Sequence, residues 1–329
     1  MIRKGILFVF VLTIAAAALV GGAIVWVDKD FDKPGPLAES TTIVIQPGDS
    51  LRSISQDLAA AGIVAQADIF YWKTRLEGVG SQLKAGEYQF DPQISQRAVL
   101  RKLIDHDIVH HFVTIPEGLT SREIVELVSG LDGLAGTVTE IPAEGALLPE
   151  TYSYSLGDTK QDVIGRMQRA AAALETEMWP VRAEGLPIDS WEEAVILASI
   201  VEKETGIAAE RGTVAGVFVN RLNKGMRLQS DPTVSYGITL GEKPLGRKLR
   251  RADLDTDTPY NTYTRAGLPP GPICNPGRAA LEAVLNPEDT DAIFFVADGT
   301  GGHAFAKTLA EHNRNVAKWR RLQKQQNQN

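Results

Sequence analysis

The 329-residue sequence has one cysteine, Cys274, and little basic charge. A single thiol cannot form an intramolecular disulfide and excludes a metal site built from several cysteines. Its 34 lysines and arginines are outnumbered by 41 acidic residues, which gives a formal net charge of −7. A phosphate backbone requires a basic face, so this balance argues against a nucleic-acid partner. The glycine-rich segment 298–302 lacks the lysine of a phosphate-binding loop, so no nucleotide cofactor is predicted.

Charge is absent from one long stretch near the N-terminus. Gly5 to Val27 form a run of 23 residues without a charged side chain, preceded by Arg3 and Lys4. As a helix, this run would extend roughly 34 Å, enough to cross a hydrocarbon core of about 30 Å. Because basic residues precede it, residues 1–28 are predicted to be a single-pass anchor in the inner (cytoplasmic) membrane, with a cytoplasmic N-terminus and the large domain outside. A cleaved signal peptide is the alternative, and the length of the run favours the anchor.

After a linker at residues 29–40, the pattern of residues 41–145 predicts an α+β domain. It begins with a strand, a Pro-Gly turn and a helix that is capped at Asp49 or Ser50. This order resembles the first half of a LysM module, a fold that binds glycans containing N-acetylglucosamine. The resemblance implies wall binding by a LysM-like domain, and a packing unit of the same shape without a glycan site is the alternative.

The same order of strand, turn and helix returns from Phe112 onward. Here Thr120 and Glu123 have the spacing of a capping box, which predicts the start of a helix. Two neighbouring histidines, His110 and His111, precede this repeat. On a strand they would point to opposite faces and could not share an ion, so no metal site is predicted.

Residues 146–329 are predicted to form a mixed α/β catalytic domain built around one buried helix. Ser190 can cap its first turn, with Glu193 reaching back in a capping box. The residues from Ala194 to Val201 are almost all apolar, and at about 100° per residue they point in nearly every direction. A helix that is apolar around its whole circumference is enclosed by protein.

Three charged residues, Glu202, Lys203 and Glu204, end this helix, and together they cover about 200° of its circumference. On a helical wheel Glu202 lies between Val195 and Ala198, inside the apolar arc, so it is predicted to be half-buried. Burial disfavours the ionised carboxylate and raises its pKa, as a general acid requires. The alternative interpretation is a structural ion pair at the helix end.

Five motifs follow one another in this domain: Ala198-Ser-Ile-Val-Glu-Lys-Glu-Thr205, Asn220-Arg-Leu222, Arg227-Leu-Gln-Ser-Asp-Pro-Thr233, Tyr260-Asn-Thr-Tyr263 and Gly267-Leu-Pro-Pro-Gly271. Together they resemble the YceG-like family of endolytic murein transglycosylases. The resemblance implies that Glu202 is the catalytic acid/base and that no cofactor is needed. It also implies cleavage between N-acetylmuramic acid and N-acetylglucosamine within peptidoglycan strands, which leaves 1,6-anhydro ends and limits strand elongation. Penicillin-binding proteins and other wall-synthesis enzymes are the partners that the family suggests.

A glycan cleft needs hydrogen-bonding groups for hydroxyls and acetamides, and ring faces for sugars. Five residues of the polar loops and the following segment are the substrate-binding candidates: Gln229, Asp231, Tyr260, Asn261 and His303.

Two other functions compete with this one. A glycoside hydrolase needs a second carboxylate, about 5–5.5 Å away as nucleophile or about 6.5–9.5 Å away to hold a water. Glu204 points about 200° from Glu202 on the wheel, so Asp231 is the better candidate for the second carboxylate. A non-catalytic wall-binding scaffold is the third interpretation, and it would need no half-buried acid.

Overall fold

The computed structural model describes residues 2–326, with the side chains of residues 10–19, 21–22 and 25–325. The chain divides into two compact units. The first contains the residues up to 111 together with 154–157, and the second contains 112–153 and the residues from 158 onward.

The described part of the first unit contains a two-stranded antiparallel sheet surrounded by helices. In the sheet, Thr41 lies opposite Phe90 and Ile45 lies opposite Gly86. Ser50 is the residue that caps the second helix, because its hydroxyl accepts the N–H of Ser53 at 3.1 Å. The elements are α1 (Ile2–Phe31), β1 (Thr41–Ile45), α2 (Leu51–Ala60), α3 (Ala67–Leu76), a 3₁₀ turn (Gly80–Gln82), β2 (Gly86–Phe90) and α4 (Gln96–Asp105).

The prediction of a membrane-spanning anchor at the N-terminus is wrong. No helix of residues 2–326 is both long enough and apolar enough to cross a membrane. The uncharged run does form part of α1, but the helix continues to Phe31, which is fully buried and stacks on Phe70 at 5.7 Å between ring centroids. In its last turns, Asp28 accepts hydrogen bonds from Lys73 at 2.6 Å and Arg97 at 2.8 Å. The end of the helix is thus part of the folded first unit. The absence of charged residues, on which the prediction was based, gave no sign of this packing.

The remaining elements belong mainly to the second unit. They are β3 (His111–Thr114), α5 (Ser121–Ser129), β4 (Thr151–Tyr154), α6 (Lys160–Met178), a 3₁₀ turn (Trp179–Val181), α7 (Trp191–Glu204), α8 (Ala208–Asn223), α9 (Asp231–Thr239), α10 (Arg251–Asp255), α11 (Arg278–Leu285), β5 (Phe294–Ala297), β6 (His303–Ala306) and α12 (Leu309–Gln326). Two further two-stranded sheets pair β3 with β4 and β5 with β6. Because α5 packs against α6, residues 112–145 lie with the second unit and not, as the sequence suggested, with the residues before them.

Helix α7 is the centre of the second unit. Every residue from Ala194 to Val201 is buried, and α8, α9 and α11 all pack on the helix. The hydroxyl of Ser190 accepts the N–H of Glu193, as predicted, but the Glu193 carboxylate accepts from Asp189 instead of completing the capping box. The chain then leaves the helical conformation at Thr205 before α8 begins.

Close packing between α8 and the segment before β5 generates a first prediction. A β-carbon on Gly216 would lie 2.5 Å from the carbonyl oxygen of Glu288 and 2.9 Å from Thr290. Alanine normally stabilises a helix interior by up to about 1 kcal/mol over glycine, but overpacking costs about 1–3 kcal/mol. We therefore expect Gly216→Ala to destabilise the protein, measured by thermal or urea unfolding. Gly165→Ala in α6 is the control, because only the flexible end of Arg169 lies near it; equal effects at the two positions would contradict the prediction.

Candidate active site

Glu202 lies in the last turn of α7 and faces the start of α11. One oxygen of its carboxyl group accepts the backbone N–H of Gly277, the residue before α11, at 3.0 Å. The side chain is half-buried, as the wheel predicted. Burial raises the pKa of Glu202, and the nearby charge of Glu117 raises it further, against the lowering effect of the Gly277 N–H. The surroundings of Glu202 therefore disfavour its ionised form more than water does.

The turn after β3, residues 116–118, packs directly on this carboxyl group. A β-carbon on Gly118 would lie 3.6 Å from Cγ of Glu202, and Gly118 has a left-handed φ of +76° that favours glycine. The ammonium group of Lys203 donates to the Gly118 carbonyl oxygen at 3.1 Å. The turn is held to the segment before α11 by two backbone hydrogen bonds, one from Gly118 to Asn275 and one from Asn275 to Leu119.

Asn275 is the buried residue that ties these segments together. Its side-chain oxygen accepts the N–H of Leu147 at 3.0 Å, and its amide nitrogen donates to the Ser121 hydroxyl at 3.0 Å. The sequence analysis missed both Asn275 and Glu117. In the sequence, the only sign of the turn at residues 116–118 was the repeated order of strand, turn and helix. The spacing of residues gave no indication that this turn lies near Glu202.

Glu204, the other acid of the helix end, faces the interior. Its carboxyl group accepts the hydroxyl of Ser230 at 2.5 Å. Burial is the main cause that raises the pKa of Glu204, and the neighbouring charge of Asp231 adds to it. Arg221 lies close enough to oppose this effect, but its guanidinium is used by the carbonyl oxygens of Leu228 and Ile293. Glu204 thus belongs to an internal network.

Asp231 is the predicted binding residue that reaches an open cavity next to the site. Together with Lys203 and Tyr236 it lines a cavity of about 390 Å³, which Gly118 also borders. The Asp231 carboxylate accepts the hydroxyl of Tyr263 at 2.7 Å. The cavity offers a carboxylate, an ammonium group and an aromatic ring within one space.

The other predicted binding residues have different surroundings. Gln229 is exposed, with a left-handed φ of 53°, in the segment just before Asp231. Tyr260 packs edge-on against Tyr236, with 4.8 Å between ring centroids. Asn261 is fully buried, and its amide bonds backbone groups, including the carbonyl oxygen of Thr256 at 2.7 Å.

His303 is held by an acid of α8. Its Nδ1 lies 2.8 Å from the carboxylate of Glu210, whose second oxygen accepts the His303 backbone N–H. The structure therefore brings Asp231 beside the site, whereas Asn261 and His303 are used in internal contacts. Among the residues that the structure describes, no group of three His, Cys, Asp or Glu side chains could hold a metal ion.

A second cavity, of about 500 Å³, lies elsewhere in the unit and is mainly apolar. Trp191 and Glu144 are among its lining residues, and Glu202 is not. Burial raises the pKa of Glu144 to about 7, although the Ser121 N–H donates to its carboxylate at 3.0 Å. Because this carboxyl group faces a mainly apolar space, it is a poorer candidate for acid catalysis than Glu202.

Comparisons with known proteins give one consistent family. The model of the YceG-like family matches residues 43–318. An endolytic murein transglycosylase of Bacillus subtilis is 30% identical, over 92% of this chain and 91% of its own length. One of Streptococcus pneumoniae is also 30% identical over 84% of this chain, which spans 58% of that longer relative. The crystal structure of a yceG-like protein of Listeria monocytogenes covers 84% of this chain and 99% of its own, with 30% identity and a TM-score of 0.51.

The buried position of Glu204 generates a second prediction. A carboxyl group whose pKa is raised by folding binds more protons in the folded than in the unfolded state, so stability falls as pH rises above the unfolded value. Glu204→Gln keeps an oxygen for Ser230 and removes this dependence. We expect the Tm of the variant, relative to the wild type, to increase by about 2–4 °C between pH 5 and pH 8.

Glu126→Gln, on the exposed side of α5, is the matched control, because it removes a solvated carboxylate. Its Tm difference from the wild type is the reference with which that of Glu204→Gln is compared at each pH. A Tm difference for Glu204→Gln that changes with pH no more than this reference would show that the folded state does not disfavour its charge.

Proposed function

Because this chain belongs to the YceG-like family, we propose that it is an endolytic murein transglycosylase, the activity named for its Bacillus and Streptococcus relatives. Such an enzyme is a lyase that cuts peptidoglycan glycan strands internally without adding water. The observation that carries the proposal is the half-buried carboxyl group of Glu202, whose neighbours Lys203 and Gly118 line a cavity of about 390 Å³. A wall-binding scaffold would have no need to hold an acid in this environment.

Glu202 can perform both proton transfers of the reaction. In its protonated form it gives its proton to the oxygen that joins C1 of N-acetylmuramic acid to C4 of N-acetylglucosamine, and the C1–O bond breaks. The resulting carboxylate then takes the proton of the muramyl C6 hydroxyl as O6 bonds to C1. The products are a free C4 hydroxyl and a 1,6-anhydro end, and Glu202 is protonated again.

The surroundings of the other acids favour the lyase over a hydrolase. A hydrolase needs a second carboxylate free to attack the sugar or activate a water. Glu204 faces the interior and is bonded to Ser230, and Asp231 accepts a hydrogen bond from Tyr263. Glu204 is therefore not free for that role, whereas Asp231 is engaged through one of its two carboxylate oxygens.

The cavity beside Glu202 is the proposed glycan cleft. Tyr236 offers a ring to a sugar face, while Asp231 and Lys203 offer partners for hydroxyl and acetamide groups. Gln229, an exposed residue with a left-handed φ close to Asp231, is a further candidate contact. The first unit contains the strand and capped helix that suggested a LysM-like module, and we propose that it adds glycan affinity without chemistry.

The substrate also indicates where in the cell the enzyme would act. Murein lies outside the cytoplasmic membrane, so we propose that the second unit acts in the cell wall. Cleavage inside growing strands would limit their elongation, and wall-synthesis enzymes such as penicillin-binding proteins are the proposed partners.

A third prediction tests the acid. Glu202→Gln keeps the shape of the side chain and an acceptor for the Gly277 N–H but has no proton to transfer. General acid–base catalysis typically contributes about 10²–10⁴-fold, so we expect a loss of at least that size in the release of anhydro-ended fragments from purified glycan strands, measured by mass spectrometry. Binding of strands should be kept.

Thermal melts in parallel show whether the variant is folded, and Glu126→Gln should cut at the wild-type rate. Fragments with reducing ends instead of anhydro ends would identify a hydrolase. Normal cutting by Glu202→Gln would mean that the acid has been assigned to the wrong residue.

A further inference from the structure

Two carboxyl groups meet at one glycine in this site. The N–H of Gly277 donates to Glu202, while the side chain of Glu117 occupies the space where a β-carbon of Gly277 would lie. A β-carbon built there would lie 1.8 Å from the Oε1 atom of Glu117 and 2.3 Å from its Cδ. No residue with a side chain fits at position 277 while Glu117 keeps this place.

The two acids have different surroundings. Glu117 is exposed on the turn after β3, whereas Glu202 is half-buried at the end of α7. Solvent stabilises the charge of the exposed group, and burial disfavours the charge of the other. When two neighbouring carboxyl groups share such a site, the proton stays on the buried one and the negative charge on the exposed one.

We infer that Glu117 is a positioning residue of the active site, whose negative charge, held against Gly277, keeps the proton on Glu202 until the glycosidic oxygen takes it. The inference rests on the proposed transglycosylase function. A mechanism with a single acid requires, at neutral pH, that this acid be protonated before the substrate binds. The charge of Glu117 would help Glu202 to meet that requirement.

The other charged groups that face Glu202 act in the opposite direction. Arg211 from α8 and Lys203 on α7 both favour the ionised carboxylate, as does the N–H at the start of α11. Lys203 is drawn toward the Gly118 carbonyl oxygen. Glu117 is the group whose negative charge offsets these cations beside Glu202. Its removal should therefore stabilise the ionised carboxylate of Glu202.

The test compares pH–rate profiles for release of anhydro-ended fragments. In Glu117→Gln the alkaline limb should move to lower pH, because Glu202 loses its proton more easily. At pH 7.5 we expect a loss of about 3- to 10-fold, and the two rates should converge as the pH is lowered and Glu202 becomes protonated in both proteins. Glu117→Asp keeps the charge and should restore most of the wild-type profile.

Gly277→Ala provides an independent variant that leaves both acids in the chain. Its φ of −77° suits alanine, and its N–H remains, but the new β-carbon displaces the Glu117 side chain. It should shift the profile as Glu117→Gln does, and the double variant should show no further shift. Glu126→Gln should leave the profile unchanged.

A readout without substrate separates this inference from the proposed function. The side-chain carbonyl ¹³C signal of Glu202, identified by its absence in Glu202→Gln, should titrate at lower pH in Glu117→Gln than in the wild type. If wild-type protein releases no anhydro ends, the proposed function fails while this titration still tests Glu117. An unchanged profile and titration in Glu117→Gln would overturn the inference, and so would an equal loss at every pH that Glu117→Asp does not rescue.

Discussion

The burial of helix α7 is the constraint on which the second unit depends. Eight consecutive residues of the helix are buried, so protein encloses it on all sides. The charged residues at its end therefore have no common solvent face to reach, and each meets a different neighbour. Glu202 meets the start of α11, Lys203 reaches the turn after β3, and Glu204 bonds to Ser230. The packing of the helix thus determines the surroundings of each charged residue in its last turn.

Local patterns predicted the elements of this unit well, because its helices have strong periodicity and clear caps. Ser190 caps helix α7 as the sequence predicted, and Thr120 forms its capping box with Glu123. The half-burial of Glu202 followed from the same wheel. These features depend on residues a few positions apart, which is the range over which a sequence can be interpreted directly.

The features that sequence could not predict depend on long-range contacts. Glu117 could not be distinguished from an ordinary turn residue, because Gly277, which its side chain contacts, lies far along the chain. Asn261 was a candidate for glycan binding because it lies in a family-like motif on a polar loop, and the hydrogen bonds from its amide to the carbonyl oxygens of Leu254 and Thr256 could not be foreseen. The N-terminal run was interpreted from its missing charge, and the burial of Phe31 in the first unit required a partner, Phe70, that periodicity does not reveal.

Three distant segments of one chain supply the groups around Glu202. Gly118 is separated from Lys203 by 85 positions, and Glu202 from Gly277 by 75. None of these segments carries the arrangement by itself, since the acid, its charged neighbour and the N–H donor come from different parts of the sequence. A nascent or partly degraded chain that lacks one of these segments therefore has no assembled acid.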